Sequence, residues 1–270
     1  MHVTAVVNQK GGVGKTTTTI NIGRALARLG RKVLLVDIDE QGALTFHFLG
    51  EDGEDLASLY DVIGPRPTAT LRQAITGSDV ASIDIMPAND DLALLNNDLV
   101  VAGVGRESRL SAVLAREGGE YDDILIDCPP SLNLLTVNAL VAAHQVLIIT
   151  EPELYSGRGV GKLLDTIDTV REKLNPLLRI AGVLINKYDS SIDIHVRRAA
   201  EIREQLTTGV PPVTVIPVIV PRWTTVMRTT DAGASIADFN HPAARRLLGF
   251  YQDIARALDP SVPVLEEVSQ

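Results

Sequence analysis

An apolar run, Val3-Thr-Ala-Val-Val7, leads straight into the glycine-rich turn Asn8-Gln-Lys-Gly-Gly-Val-Gly-Lys-Thr-Thr17, and a helical pattern follows at once. Few folds accept that order. A buried strand that turns sharply into a helix belongs to a right-handed strand–helix crossover over a parallel sheet. The turn also gathers backbone N–H groups at the positive end of a helix, which is chemistry for a polyphosphate. Gly11, Gly12, Val13 and Gly14 supply the bend and the N–H groups, and Lys15 can reach the β/γ-phosphates. The Thr16 hydroxyl, followed by Thr17, can ligand Mg²⁺.

The rest of the chain repeats the alternation. Strands are predicted near 3–8, 33–37, 83–86, 123–127, 145–150, 180–186 and 213–217. Helices are predicted near 15–29, 90–116, 132–142, 157–174, 195–207 and 243–258. This is a doubly wound α/β fold with a mainly parallel sheet, helices on both faces and ligands at the carboxyl ends of the strands. Residues 50–80, with Pro65 and Pro67, read as surface helices and loop. Leu247, Tyr251, Ile254 and Leu258 recur at helical spacing, a stripe for docking the last helix. A chain of 270 residues fits one such domain, 1–260, with a mobile acidic tail over 261–270.

Carboxylates stand where strands end. Val33-Leu-Leu-Val-Asp-Ile-Asp39 closes on two acids two residues apart. If the edge stays extended, Asp37 and Asp39 face the same side, where one holds metal through water and the other positions an attacking water. A plain strand-end turn with an aspartate cap is the alternative. Asp123-Ile-Leu-Ile-Asp127 is a second hydrophobic strand ending in an acid, followed by the helix-starting break Cys128-Pro-Pro-Ser131. Gly182-Val-Leu-Ile-Asn-Lys-Tyr-Asp189 reads as a strand with a polar exit, and the Asn186 amide suits an adenine edge or, equally, a strand-end hydrogen bond.

Lys10 is the unusual residue. A phosphate loop needs only the second lysine, and spacing alone would allow a solvated surface lysine here equally well. The string Asn8–Thr17, however, resembles the deviant Walker A box of the ParA/MinD ATPases, and the later strands extend the resemblance in order over roughly residues 3–260. That resemblance implies a P-loop ATPase using ATP/ADP and Mg²⁺, in which Lys10 acts across a nucleotide-sandwich homodimer. It implies Lys10, Lys15 and Asp39 as catalytic residues, and Thr16, Asp37 and Asp127 around the metal. Asn186 and Pro221, in Val215-Ile-Pro-Val-Ile-Val-Pro-Arg222, would lie near the base. The partition branch further implies nonspecific DNA binding, a ParB-like centromere-binding partner, and a cytoplasmic, nucleoid-associated protein. Two departures stand out. Glu40 replaces the usual proline, and the loop offsets from Arg222 give Thr225 and Arg228, so the family's loop arginine is either absent or replaced by Arg228.

A formal charge of −9 rules out a chain that is basic all over, but not a local basic face. Candidate DNA contacts are Arg197 and Arg198, Arg222 and Arg228, and Arg245 and Arg246. A single cysteine, Cys128, excludes an intramolecular disulfide and cannot provide the cluster ligands of the iron-protein branch. The five histidines show no zinc spacing. There is no pattern of an export signal and no apolar run of membrane-spanning length. A MinD-like membrane-associated positioning ATPase is the alternative reading. Its basic amphipathic end has no counterpart in Val264-Leu-Glu-Glu-Val-Ser-Gln270, so no membrane partner is expected.

Overall fold

The computed structural model describes residues 1–53, 56–153, 156–209, 211–221 and 242–262. Arg222, Arg228 and the end of the tail, 263–270, lie outside the described residues. The first crossover forms as the sequence requires: β1 (His2–Val7) enters the loop, and α1 (Lys15–Arg28) returns to β2 (Val33–Asp37). Then come α2 (Ala43–Leu49), α3 (Leu59–Ile63), α4 (Leu71–Ala74), β3 (Thr76–Gly77) and β4 (Ile83–Met86). The middle holds α5 (Leu92–Val101), α6 (Arg109–Glu117), β5 (Asp123–Asp127), α7 (Leu134–Ala142) and β6 (Gln145–Thr150). It ends with α8 (Ser156–Lys173), β7 (Arg179–Tyr188), α9 (Asp193–Thr208), β8 (Val215–Pro221) and α10 (Pro242–Leu258).

The eight strands make one sheet in the order β3-β4-β2-β5-β1-β6-β7-β8, parallel except for the β3 edge. The chain winds to one side of β1 through β5 and crosses to the other side with β6. The carboxyl end of β1 is therefore the topological switch point, where such sheets bind ligands. Register sets the site. Val6 and Asp37 both pair with Asp127, so the ends of the three central strands are level.

Alternate residues feed two cores. Leu34, Val36, Ile124 and Ile126 pack toward the α3–α9 side, whereas Val33, Leu35 and Leu125 pack toward α1, α2 and α10. The stripe of the last helix docks as expected, with Leu247 and Ile254 fully buried and Tyr251 and Leu258 nearly so. Each such side chain contributes about 1.5–3 kcal/mol.

Three local expectations need correction. The helix predicted over 90–116 is two, because Gly103 and Gly105 take φ of 77° and 81° and turn the chain between α5 and α6. Within 50–80, α3 and α4 are not mere surface: Leu59, Val62, Ile63, Leu71 and Ala74 are core residues. Both helices carry capping boxes, Ser58 with Asp61 and Thr70 with Gln73, a signal readable in the sequence. The two-residue β3 and the helix α2 had no expected counterpart, and β8 runs to Pro221 rather than stopping at 217.

Candidate nucleotide site

The loop from Asn8 to Gly14 is held open from both ends. The Asn8 amide donates to the carbonyl of Ile149 on β6, and its oxygen accepts from the Lys10 backbone N–H at 2.9 Å. Gly12 and Gly14 adopt φ of 76° and 91°, a conformation side chains resist. At Gly14 a Cβ would also run into the Asn186 amide. Gly14 is the residue before α1, with no side-chain cap, so the first N–H groups of the helix are left facing the loop.

Beneath the loop lies a buried floor. Lys15 is only 6% exposed, its Nζ 3.4 Å from the Lys10 carbonyl. Burial holds its ammonium below the usual lysine range, opposed by the charges of Asp127 and Asp39. The Thr16 hydroxyl donates to Asp127 at 2.6 Å, and the Thr19 hydroxyl stands 3.4 Å from the other oxygen of the same carboxylate. Asp37 lies beside it, accepting from the Thr45 N–H at 2.9 Å and the Thr45 hydroxyl at 2.8 Å. Both acids are fully buried. Burial first, and for Asp127 the neighbouring Asp37 charge next, push the pair up, Asp127 to about 8 and Asp37 to about 6. Two buried carboxylates, with a hydroxyl aimed at one of them, are a hard oxygen donor set. The donor set therefore fits Mg²⁺.

Asp39 stays within electrostatic reach of Asp37, Asp127 and Lys15. The strand ends at Asp37, and the Asp39 N–H turns back to the Asp37 carboxylate at 3.2 Å. A turn follows, Gly42 N–H to the Asp39 carbonyl, which leaves Asp39 half-buried but close enough to act on Lys15 and Asp127. Cys128 is a packing residue, fully buried, its thiol pushed well up by burial and by Asp127.

At the mouth, Lys10 is half-exposed and paired with Glu151 at 3.0 Å and Glu153 at 2.5 Å, both just past β6. From the exit of β7, Asn186 donates to the Val13 carbonyl at 2.7 Å, and Lys187 donates to the Gly12 carbonyl. Asn186 thus braces the loop with its N–H. Pro221 ends β8 beside Tyr188, its register partner. Glu151, Glu153, Lys187 and Thr45 were not singled out from the sequence. Lys187 sits in the segment read as a polar exit, and nothing in the spacing marks the other three.

Among the described residues the two arginine pairs do not meet. Arg197 and Arg198 ride on α9, which packs on the α3–α8 side, while the exposed Arg245 and Arg246 ride on α10 against α1. Arg198 is also paired with Glu201 at 2.5 Å. At the amino ends of the strands, His2 does come together with Asp123 and Asp259, despite its lack of metal spacing. Arg31, however, already bonds both carboxylates. Among the described residues no helix is long and apolar enough to cross a membrane.

Residues 1–180 match a family model described as an AAA domain. The sporulation initiation inhibitor protein Soj of Bacillus subtilis is 40% identical over 215 residues, 80% of this chain and 83% of Soj. Uncharacterised Mycobacterium tuberculosis proteins are 47% identical over 187 residues, 69% of this chain but only 58% of their own length. A Mycobacterium smegmatis structure described as cobyrinic acid a,c-diamide synthase with bound ADP and magnesium superposes with a TM-score of 0.76. It shares 37% identity and covers 88% of this chain and 94% of that one. The signature lysine ahead of the glycines, the acid-ended strands and these relatives agree, and the chain belongs to the ParA/MinD family of P-loop ATPases.

Proposed function

We propose that this protein is a cytoplasmic, nucleoid-associated partition ATPase. In this reading ATP and Mg²⁺ join two copies face to face, the dimer binds DNA without sequence preference, and a ParB-like partner stimulates hydrolysis and releases it. The observation that carries the reading is the division of the two lysines: Lys15 buried in the floor, Lys10 half-exposed at the mouth. One is built to hold phosphate within its own subunit, the other to reach outward.

The backbone N–H groups of Gly11–Thr17 and the Lys15 ammonium bind the phosphates. Thr16 would hold Mg²⁺, with Asp127 and Asp37 behind it, and the ion would supply neutralisation of phosphate charge. Asp39, half-buried in its turn, orients a water for attack. Lys10 lies across the phosphates of the partner copy and stabilises charge there as the bond to the terminal phosphate breaks. Asn186 and Pro221 flank the base. DNA binding is assigned to Arg197, Arg198, Arg245 and Arg246 together with Arg222 and Arg228, each doubled on dimerisation. The separation of the described arginines onto opposite faces of the sheet makes that doubling necessary.

Partition is favoured by the similarity to the chromosome partitioning protein ParA of Caulobacter vibrioides, 40% identical over 206 residues, 75% of this chain and 76% of that one. The test is gel filtration with ADP or ATP, with and without duplex DNA. ATP alone should shift the wild type to a dimer, and DNA should shift it again. Lys10→Ala should keep ADP affinity near wild type and stay monomeric with ATP. Equal loss of ADP affinity in Lys10→Ala and Lys15→Ala would refute the cross-subunit role.

A further inference from the structure

The half-exposed Lys10 is not free. Its ammonium sits between two carboxylates of its own subunit, 3.0 Å from Glu151 Oε2 and 2.5 Å from Glu153 Oε2. Glu153 is largely in water, its side chain 55% exposed, so its hold is weak. Glu151 is different, with only 8% of its side chain exposed, and a buried carboxylate cannot be left without a counter-charge. It has a second one. Lys187 Nζ approaches the other oxygen, Glu151 Oε1, at 2.9 Å, and also donates to the Gly12 carbonyl of the phosphate loop. Lys187 is one of only two non-glycine residues at positive φ among the described residues, at 53°, and that backbone turn lies just where the strand leaves for the loop.

We propose that Glu151 is a positioning residue that parks Lys10 on its own subunit, and that Lys187 is the permanent counter-charge that lets Glu151 release it. The proposal rests on the reading that Lys10 acts across the dimer. An ammonium clamped by two carboxylates cannot reach a phosphate on another copy until it leaves them. If Lys10 were the sole partner of Glu151, its departure would strand a buried negative charge and the lysine would be locked in place. Because Lys187 bonds the opposite oxygen, Lys10 exchanges carboxylates for phosphate while Glu151 stays neutralised. Parking then acts as a tax on dimerisation, since apparent affinity falls with the fraction of Lys10 released. It holds the copies apart until ATP offers Lys10 a stronger anion. Burial tends to raise Glu151, yet the two lysines hold it below the usual range, and the carboxylates hold Lys10 above its own despite partial burial.

Three variants separate this from a structural role: Glu151→Gln, Lys187→Met and the double variant. Dimerisation is followed against ATP concentration by light scattering, and ADP affinity by calorimetry. Glu151→Gln should dimerise at roughly two- to tenfold lower ATP, because the parked fraction falls. Lys187→Met should need roughly tenfold more ATP or fail to dimerise, because Lys10 becomes the only counter-charge. The double variant should return to the Glu151→Gln value, since no buried charge remains to trap Lys10. If Lys187→Met is defective and the second substitution does not rescue it, Lys187 is merely bracing the loop and the proposal is wrong. Parking itself is read without nucleotide, by NMR of the ¹³C-dimethylated apo protein. The Lys10 signal, assigned with Lys10→Arg, should titrate above ordinary lysines and fall in Glu151→Gln. A Lys10 signal indifferent to Glu151→Gln overturns parking. If parking is seen while Lys10→Ala dimerises like wild type, the cross-subunit reading fails instead.

Discussion

The floor and the mouth of the site are built on opposite terms. In the floor, short hydrogen bonds tie Thr16 to Asp127 and Thr45 to Asp37, both acids shut away from solvent. At the mouth, Lys10, Glu153 and Lys187 are each about half in water, and only Glu151 is buried. The floor cannot rearrange without exposing or stranding a charge, so it suits a fixed role, the holding of metal and phosphate. The mouth trades one ion pair for another at small cost, so it suits a step that must reverse. Nucleotide binding should therefore fail at the floor and dimer control at the mouth.

The severest break is Lys15→Ala, which removes the buried ammonium that meets the β/γ-phosphates. ATP and ADP binding should both vanish in calorimetry, with the fold retained by circular dichroism. Measurable ADP binding within about tenfold of wild type would make the backbone N–H groups the main anchor.

Asp39 is half-buried in a turn within electrostatic reach of Lys15 and Asp127, and the proposed function gives it the attacking water rather than the binding. Asp39→Ala should bind ATP and dimerise while phosphate release slows by about two to four orders of magnitude. Turnover at the wild-type rate would move water positioning to Asp37.

The floor also predicts a pH dependence that the mouth does not share. Unfolded aspartates release their protons near pH 4, whereas Asp37 and Asp127 hold theirs to about 6 and 8 in the fold. The folded state thus binds more protons across that window, so metal-free stability should fall as pH rises from about 4 through 8. Scanning fluorimetry should show the midpoint dropping by about 2–4 °C per kcal/mol of stability removed. Millimolar Mg²⁺ or Asp127→Asn should flatten the upper part of the slope. A midpoint that rises over the same range would mean the acids ionise together without a metal.

The smallest effect lies farthest from both regions. Charge reversal of Arg245 and Arg246, or of Arg197 and Arg198, should lower the log–log salt slope of DNA binding by close to one unit for each phosphate no longer neutralised. Comparing the two pairs assigns the face, because they ride on opposite sides of the sheet. ATP-bound wild type that ignores duplex DNA at low salt would end the nucleoid-carrier part of the proposal.

Much of the floor was legible because it is local. A strand, three glycines, Lys15 and Thr16 follow one another without a gap, and strands that end in Asp37 and Asp127 announce themselves by their apolar run. The helix break at Gly103 and Gly105 and the capping boxes of α3 and α4 are equally local, but a hydrophobic period that runs across them hides them. Thr45 was not legible, since its bond to Asp37 depends on α2 folding back over the strand end.

By itself the sequence determined the order of strands and helices, the phosphate loop and the acids that face it, because each of these is written in neighbouring residues. Only the tertiary structure decided what lies 141 positions away from Lys10, since β6 was not obliged by any local pattern to run beside β1. That pairing brings Glu151 and Glu153 to the mouth, and the next strand brings Lys187. Charges so distant in the chain meet only when the sheet closes, and a hydrophobic pattern specifies which strands are buried, not which exposed or half-buried charges their ends will share.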